Sequence, residues 1–385
     1  MYFISGIGPG EAGVSGFYSY IEMLASKKNV SCIYPYKHKA FKRLFYNNKI
    51  EALFYLLKIS LYQLIFYIKI LLLKPQKIIL AHPQNIGLLL TIFIILRHKK
   101  INYYVLDNSY FCIKSYNYHQ KEGECLRCLG MEKLPYADCK SFPGIRPRFL
   151  HIIFIKFLLK NNKKIKFFFQ NELQLNLFKI HAKSKYINVQ RIGLLTSDIK
   201  KSFDDFRKIN LISKNKNQIK FDKKFFNRKY IVFHGMDHDA KGSKIAYFLA
   251  QKFPEYNFIF PYHKPSIILP ENCFFVPCSW TSGLKEIIIF SDCVICSSIW
   301  SAPIEAALVK SILYNGLIIV SKNKYSFSAE IPNELLITYQ NENSIKIIKD
   351  ILNDNHKKNE MKRKLKSWVI KYFDKNNLES IFIFD

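Results

Sequence analysis

Residues 230–316 contain two strand–turn–helix units in succession, and this repetition narrows the folds that are open to the chain. The first unit runs from the apolar segment Tyr230–Phe233 through a polar loop to Lys241-Gly242. From Ser243 onward, apolar residues recur every three or four positions, which is typical of a helix that packs one face on a sheet. The second unit has an apolar segment at 293–296, the turn Ser297-Ser298 and a helix of small apolar residues. This alternation predicts an α/β fold with a parallel sheet.

Both units place polar groups where a strand ends and a helix begins. The first N–H groups of a helix have no partner within the helix and lie at the positive end of its dipole, so they attract phosphate. Lys241 adds a cation at the same position. Strand ends that feed helix starts beside one crevice are where open α/β sheets bind nucleotides. The sequence therefore predicts a phosphate site near Lys241.

These residues resemble the C-terminal half of a GT-B glycosyltransferase, and glycosyltransferase family four is the nearest match. In that family a Lys-Gly element holds the donor diphosphate, and a Ser-Ser turn leads to a helix whose glutamates hold the nucleotide sugar. Lys241-Gly242 and Ser297-Ser298 with Glu305 match this pattern. Met236 stands where the family usually has arginine. The glutamate pair eight residues apart is not kept, because Ser297 and Leu313 flank Glu305 at that spacing.

The resemblance implies two facing Rossmann-like, doubly wound domains, with the C-terminal helix crossing back to the first. The implied domains are an acceptor domain at 1–195, a donor domain at 196–366 and the returning helix at 367–385. The residues expected to act in catalysis are His82, Asp107, Lys241 and Glu305. The residues expected to bind the donor are Gly13, Gly16, Gly235, Lys241, Gly242, Ser297, Ser298, Pro303 and Glu305.

The first half of the chain shows the same rhythm of strands and helices. The apolar segment Tyr2–Ile7 leads into a glycine-rich loop, which is either a tight strand–helix turn or a loop that faces a ligand. Two later apolar segments end at His82 and at Asp107. Because the ends of parallel strands meet at one edge of a sheet, these two side chains are expected to face the same cleft.

Residues 109–148 interrupt this rhythm and carry four cysteines. Two of them form a Cys-x-x-Cys pair and two flank it, at Cys112, Cys125, Cys128 and Cys139. A structural zinc held by these four thiolates is one interpretation, and free or packed thiols are the other. The nine cysteines of the chain, without a recognisable secretory signal, favour a reducing compartment.

The segment Glu51–Leu73 is apolar and long enough to span a bilayer, but Lys58 and Lys69 interrupt it. We expect a helix packed on the sheet and partly interfacial, with a membrane span as the alternative. Residues 197–229 are strongly basic and are expected to form a linker that faces solvent or an anionic membrane surface.

The formal net charge of +30 indicates an anionic partner. Together with the resemblance, it predicts transfer of a sugar from a nucleotide-activated donor to a lipid-linked or oligosaccharide acceptor, in bacterial O-antigen or capsule assembly. The enzyme would lie in the cytoplasm, peripheral on the inner face of the membrane. No cofactor is expected for catalysis, since enzymes of the type that the chain resembles commonly need no divalent metal.

Three alternatives remain open from the sequence. A transferase of the same fold with a CMP-activated acid sugar of the Kdo type fits the incomplete glutamate pair. A sugar-binding scaffold without catalysis fits the same motifs. A nucleic-acid-binding protein fits the charge, but the basic residues are spread throughout the chain and no binding module is visible, so no nucleic acid is expected as a partner.

Overall fold

The computed structural model describes residues 1–10, 13–35, 49–131, 133–142, 146–184, 187–209, 228–261 and 269–384. The strands are β1 (Tyr2–Ser5), β2 (Ser31–Ile33), β3 (Ile78–Ala81), β4 (Ile101–Tyr104), β5 (Tyr118–His119), β6 (Gly123–Glu124), β7 (Ile165–Phe169), β8 (Val189–Arg191), β9 (Tyr230–Phe233), β10 (Asn257–Phe260), β11 (Cys273–Phe275), β12 (Cys293–Ile295), β13 (Ile318–Ser321) and β14 (Ile337–Tyr339). The α-helices are α1 (Gly13–Lys27), α2 (Lys49–Leu72), α3 (Pro83–Ile86), α4 (Leu88–Arg97), α5 (Arg148–Lys160), α6 (Glu172–Ala182), α7 (Ser197–Ile209), α8 (Ser243–Lys252), α9 (Leu284–Phe290), α10 (Ala306–Tyr314), α11 (Ser344–Asn353) and α12 (Asn355–Asp374).

The chain divides into two compact units. The first contains Met1–Ser115, Cys128–Ser197 and Asn377–Asp385, and the second contains Tyr116–Arg127 and Asp198–Asn376. Each unit has one six-stranded sheet, and every strand pair in both sheets is parallel. The expected α/β fold with two doubly wound sheets is therefore confirmed.

The sheet of the first unit has the order β2-β1-β3-β4-β7-β8. Every residue of β3 and β4 is buried, because helices cover both faces of a parallel sheet; these strands are mainly apolar, with Asn102 as a polar exception. The strand order reverses between β1 and β3, which makes their carboxyl ends the topological switch point of this unit.

The sheet of the second unit has the order β11-β10-β9-β12-β13-β14. Its core includes residues from β9, β10, α8 and α12, such as Ile231, Phe258, Leu249 and Met361. The order reverses between β9 and β12, so the switch point lies where the two sequence motifs around Lys241 and Ser297 begin.

The two compact units divide the chain differently from two of the predicted boundaries. The insertion was expected to belong entirely to the first domain, but residues 116–127 lie in the second unit. The return to the first unit was expected from residue 367, but α12 lies in the second unit and the return begins at Asn377. The reason is packing: Val369 and Phe373 of α12 are buried, and Phe373 packs on the ring of Phe203 in the second unit.

The returning segment is fixed in the first unit by a buried side chain. Asn102 of β4 donates from its Nδ2 atom to the carbonyl oxygens of Ile381 at 2.6 Å and Ile383 at 2.8 Å. The backbone N–H of Asn377 donates to the carbonyl of Ile192 at 2.9 Å. The C-terminal residues are therefore held within the first unit by hydrogen bonds.

Within the described residues, one helix is long and apolar enough to cross a membrane by length and composition. It is the segment Leu53–Leu72 of α2, and only 11% of it is buried. The basic segment 197–229 forms α7 over 197–209, and its residues 210–227 lie outside the described residues.

Candidate functional site

Lys241 is held at the switch point of the second unit by a turn that the sequence encodes locally. β9 ends at Phe233, and a 3-10 turn at Asp239–Lys241 leads into α8. The ring nitrogen Nδ1 of His238 accepts from the backbone N–H of Ala240 at 3.0 Å and caps this turn. Gly242 then adopts a left-handed conformation with φ of 75°, which ends the turn and redirects the chain into α8.

Gly242 also brings the two motifs into contact. A Cβ atom at this position would lie 2.0 Å from the carbonyl oxygen of Ser297, so only glycine fits. The hydroxyl of Ser297 donates to the carbonyl of Gly242 at 3.0 Å, and the N–H of Ile299 donates to the carbonyl of Ala240 at 2.9 Å. The loops after β9 and β12 are thus tied together at the switch point.

The amine of Lys241 forms an ion pair with Oε1 of Glu305, and the hydroxyl of Ser298 donates to the same oxygen at 3.0 Å. The side chains of Lys241 and Glu305 are 23% and 18% exposed, so the pair is partly open to a ligand. Burial lowers the pKa of Lys241, but the Glu305 carboxylate and Tyr116 outweigh it, and the net pKa is raised. Lys241 is therefore cationic at neutral pH.

Glu305 is the N-cap residue directly before α10, yet its side chain makes no capping hydrogen bond to that helix. Its carboxylate is directed to Lys241 and Ser298 instead. Pro303 is buried in the loop that leads to Glu305. Gly235 follows β9 and is tight against its own strand, since a Cβ there would lie 2.7 Å from the ring of Phe233.

Two aromatic rings line the Lys241 amine, and one comes from a distant part of the sequence. The amine lies 5.3 Å from the ring centre of Trp300 and 5.6 Å from that of Tyr116. The rings of Tyr116 and Trp300 contact each other with centres 4.5 Å apart. A cation beside aromatic faces is stabilised by their quadrupoles. The sequence motifs alone did not identify either aromatic residue as part of this site.

Tyr116 belongs to a short segment, residues 116–127, that we call the strap. The buried Asn117 donates to the hydroxyl of Ser301 at 2.7 Å and accepts from the N–H of Ser301 at 3.2 Å. The carboxylate of Glu124 accepts from the N–H groups of Lys324 and Tyr325 at 2.7 and 3.0 Å, and from the hydroxyl of Ser301 at 2.7 Å. These bonds fix the strap beside the Lys241–Glu305 pair.

A second cluster lies at the switch point of the first unit. His82 directly follows β3 and has a left-handed backbone with φ of 53°, which is uncommon for residues other than glycine. Gly6 permits this, because a Cβ at Gly6 would lie 2.4 Å from the carbonyl oxygen of His82. His82 is 5% exposed, and its Nδ1 atom has no partner among the described residues. Burial lowers the pKa of His82 despite the opposing charge of Asp107, so the imidazole is neutral.

Asp107 is held by a residue that the sequence motifs did not single out. The amide of Gln84 donates to both carboxylate oxygens of Asp107 at 2.9 Å, and the N–H of Ser109 donates to one of them at 2.9 Å. Arg146 adds positive charge near this cluster, and burial lowers its pKa while Asp107 opposes that shift. His82, Gln84, Asp107 and Arg146 therefore form one electrostatic group.

The predicted glycines of the first loop have structural roles. Gly13 begins α1 with φ of 59° and has open space around it, whereas Gly16 is buried inside α1. Their contact with a donor stays a prediction. Beside this loop is an open cavity of about 630 Å³, lined by residues of the loop, of β2 and of α2, among them Gly8, Pro9, Tyr34, Tyr62, Ile65, Phe66 and Lys69.

The four cysteines proposed as zinc ligands are not joined in disulfide bonds. Cys112 is buried, and Cys125, Cys128 and Cys139 are half-buried. Among the described residues of the first unit, Cys112, Cys128 and Cys139 do not bring their sulfur atoms into one ligand group. A zinc site at these residues stays a prediction from sequence spacing.

Comparison with known proteins supports the architecture. No family model and no curated protein matches the sequence. Among solved structures, HepE from Anabaena in complex with UDP superposes with a TM-score of 0.59 at 13% identity, over 99% of this chain and 96% of that one. Sucrose-phosphate synthase from Thermosynechococcus elongatus gives 0.58 at 11% identity, over 99% and 96%.

WaaG, a glycosyltransferase involved in lipopolysaccharide biosynthesis, gives a TM-score of 0.56 at 10% identity, over 99% of this chain and 97% of that one. At such low identity these likenesses establish the fold and leave the substrates open. The two parallel sheets and these neighbours together show that the chain has the GT-B glycosyltransferase fold.

Proposed function

We propose that this protein is a glycosyltransferase that takes its sugar from a nucleotide-activated donor, with UDP-sugars as the first candidates. The observation that carries the proposal is the cluster of Lys241, Glu305 and Ser298 at the switch point of the second unit. A cation, a helix start and a carboxylate at one strand edge match the diphosphate and hydroxyl groups of such a donor. HepE, which has the same fold, was solved with UDP and with UDP-glucose.

The reaction breaks the bond between the anomeric carbon and the phosphate oxygen, and the nucleoside diphosphate leaves with the electron pair. The acceptor oxygen forms a bond to the same carbon and gives up its proton to a general base. Lys241 stabilises the negative charge that grows on the leaving diphosphate, as a fixed cation in a partly buried site does. When the diphosphate engages Lys241, Glu305 becomes available to accept hydrogen bonds from sugar or ribose hydroxyls.

For the acceptor, the cluster of His82 and Asp107 in the first unit is the best candidate. His82 is neutral and has a free Nδ1 atom, which are the properties of a group that accepts a proton or a hydroxyl hydrogen bond. We propose a lipid-linked or oligosaccharide acceptor in bacterial surface polysaccharide assembly, on the cytoplasmic face of the membrane. The net charge of +30 supports an acceptor or surface that carries phosphate.

The test is a binding panel of UDP, GDP and CMP and their sugars, read by calorimetry, with two matched lysine variants. Lys241→Met removes the cation of the site and is expected to weaken binding of the preferred nucleotide sugar about 100-fold and to slow transfer at least as much. Lys244→Met removes an exposed lysine three residues away, which forms an ion pair with Asp239, and is expected to change neither.

Equal losses in the two lysine variants would contradict the assignment of Lys241. A preference for CMP over UDP would replace the donor class and favour the acid-sugar alternative. Sugar transfer that persists in the presence of a chelator would support the prediction that catalysis needs no divalent metal. Metal analysis of the same preparation tests whether the four cysteines bind zinc.

A further inference from the structure

Helix α2 carries a broad apolar surface that the rest of its unit leaves uncovered. Ile50, Phe54, Leu57, Leu61 and Leu64 are between 53% and 69% exposed. With about 100° of rotation per residue, the exposed apolar side chains of this helix occupy about two thirds of its circumference. Soluble proteins rarely expose an apolar patch of this size unless it binds a partner or a membrane.

The inward side of α2 is a narrow stripe. Phe66, Ile70 and Leu73 are buried, and Tyr55, Ile59 and Gln63 on the same side are half-buried. The helix therefore lies lengthwise on its unit. A membrane-spanning helix of one chain needs lipid or other helices on every side, so a helix packed in this way is suited to lie along a bilayer surface.

The charge around α2 favours an anionic surface. Between residues 49 and 77, which the structure describes, the sequence has five basic residues and one acidic residue; the basic residues are Lys49, Lys58, Lys69, Lys74 and Lys77, and the acidic one is Glu51. Each basic residue near an anionic bilayer adds about 1 kcal/mol of attraction. A second copy of this chain would bring the same basic segments together, and the like charges would oppose that contact.

We propose that α2 is the membrane-docking element of this protein and that it lies in the interfacial layer of an anionic bilayer. The outward residues of the helix enter the boundary between headgroups and acyl chains, and the flanking lysines contact the lipid phosphates. A bilayer covers the full exposed arc of the helix, whereas one rigid protein surface covers only one side of it.

With α2 on the bilayer, the open cavity of the first unit is placed to receive an acceptor from the membrane. This step of the inference rests on the proposed function. Tyr62, Ile65 and Phe66 of α2 form part of the cavity wall, and Gly8 and Pro9 form another part. An acceptor whose lipid stays in the bilayer would pass along α2 to reach the loop that follows β1. The membrane-docking role of α2 itself does not depend on any particular acceptor.

The experiment is co-sedimentation of the full chain with vesicles of phosphatidylcholine, with and without phosphatidylglycerol. The variant Leu57→Gln/Leu61→Gln/Leu64→Gln removes three outward apolar side chains and keeps helix propensity, since glutamine and leucine have similar propensities. We expect wild-type protein to bind the anionic vesicles, and the triple variant to bind them about tenfold more weakly. The control Ile180→Gln/Ile347→Gln changes exposed apolar residues on α6 and α11 and is expected to bind like wild type.

Circular dichroism and UDP binding are measured on the same preparations. Retained UDP binding in the triple variant, with lost vesicle binding, supports the proposal and separates it from the proposed transferase function. Equal vesicle binding by all three proteins would overturn the proposal. So would a soluble dimer that the triple variant converts to a monomer, because a second copy would then be the occupant of this surface.

Discussion

Gly242 and Gly13 both adopt left-handed backbone angles, but their surroundings differ, and this difference gives a prediction at the scale of single residues. A Cβ at Gly242 would overlap the carbonyl of Ser297 at 2.0 Å, whereas a Cβ at Gly13 has nothing within 4 Å. We expect Gly13→Ala to destabilise the protein by about 1 kcal/mol, from backbone strain alone. Gly242→Ala adds the steric overlap and is expected to lose about 2–5 kcal/mol. Urea unfolding measures both, and equal losses would contradict the close packing of the two loops.

His234 provides a second prediction at this scale. Its ring is 3% exposed, and Nδ1 lies 2.8 Å from the hydroxyl of Ser311. Burial, with help from the nearby charge of Lys310, lowers the pKa of His234 to about 3. The unfolded chain therefore binds a proton at His234 between pH 7 and pH 5, while the folded chain does not, so this histidine makes stability fall as pH falls.

The expected loss from His234 is about 2 kcal/mol between pH 7 and pH 5. His234→Asn removes the titrating ring while keeping a polar atom for Ser311. The free energy of unfolding, measured with urea, should therefore fall by about 2 kcal/mol less between pH 7 and pH 5 in the variant than in the wild type. His151 and His181, whose burial lowers their pKa values to about 3 and about 4, remain in both proteins as an internal control.

At the scale of helices and strands, the sequence predicted those elements that depend on the local pattern of apolar and polar residues. The strands that end before His82 and before Lys241 are short apolar runs, and the structure has them as β3 and β9. The Lys241–Glu305 cluster was predicted from matching residue types, and its aromatic neighbours were not. The position of the strap could not be predicted from the sequence, because Asn117 and Glu124 form hydrogen bonds to residues about 180–200 positions later. Local sequence periodicity does not indicate such distant contacts.

The strap itself yields a prediction about one element. Glu124→Ala leaves the N–H groups of Lys324 and Tyr325 without their carboxylate and is expected to destabilise the second unit by about 2 kcal/mol. Because the strap carries Tyr116 to Lys241, the same change is expected to weaken nucleotide-sugar binding. Lys121→Ala changes an exposed residue of the same strap and should alter neither stability nor binding.

Hydrogen exchange followed by mass spectrometry distinguishes the two consequences of Glu124→Ala. Faster exchange should appear in residues 116–127 and in the loop around Tyr325. If exchange rises there while nucleotide binding is unchanged, the strap is a structural element and Tyr116 has no part in the donor site.

At the scale of the whole molecule, the chain passes between its two units four times, at residues 115–116, 127–128, 197–198 and 376–377. Local sequence patterns predict the two sheets but carry little information about which unit holds a short connecting segment. The C-terminal segment illustrates this, since its helix α12 belongs to the second unit and its last residues to the first. The buried side chain of Asn102 is one of the groups that hold that segment in place.

Two contacts of the C-terminal segment differ in burial and should therefore differ in strength. Asn102 is 2% exposed and holds two carbonyl groups, whereas the Lys28–Glu379 ion pair is at the surface with side chains 38% and 61% exposed. Asn102→Ala is expected to loosen the segment by about 2 kcal/mol, because buried carbonyls lose their donor. Lys28→Gln is expected to change stability by less than about 1 kcal/mol.

Hydrogen exchange of the full chain measures this contrast and also tests whether the two units respond separately. In Asn102→Ala, exchange should rise in residues 377–384 and in β4, while residues 230–316 keep their protection. Added UDP should do the reverse, slowing exchange in 230–316 and in the strap, because a ligand stabilises the part of the fold that binds it. If Asn102→Ala instead increased exchange equally in both units, the division of the chain into two separately stabilised units would be wrong, since loosening one sheet would then loosen the other.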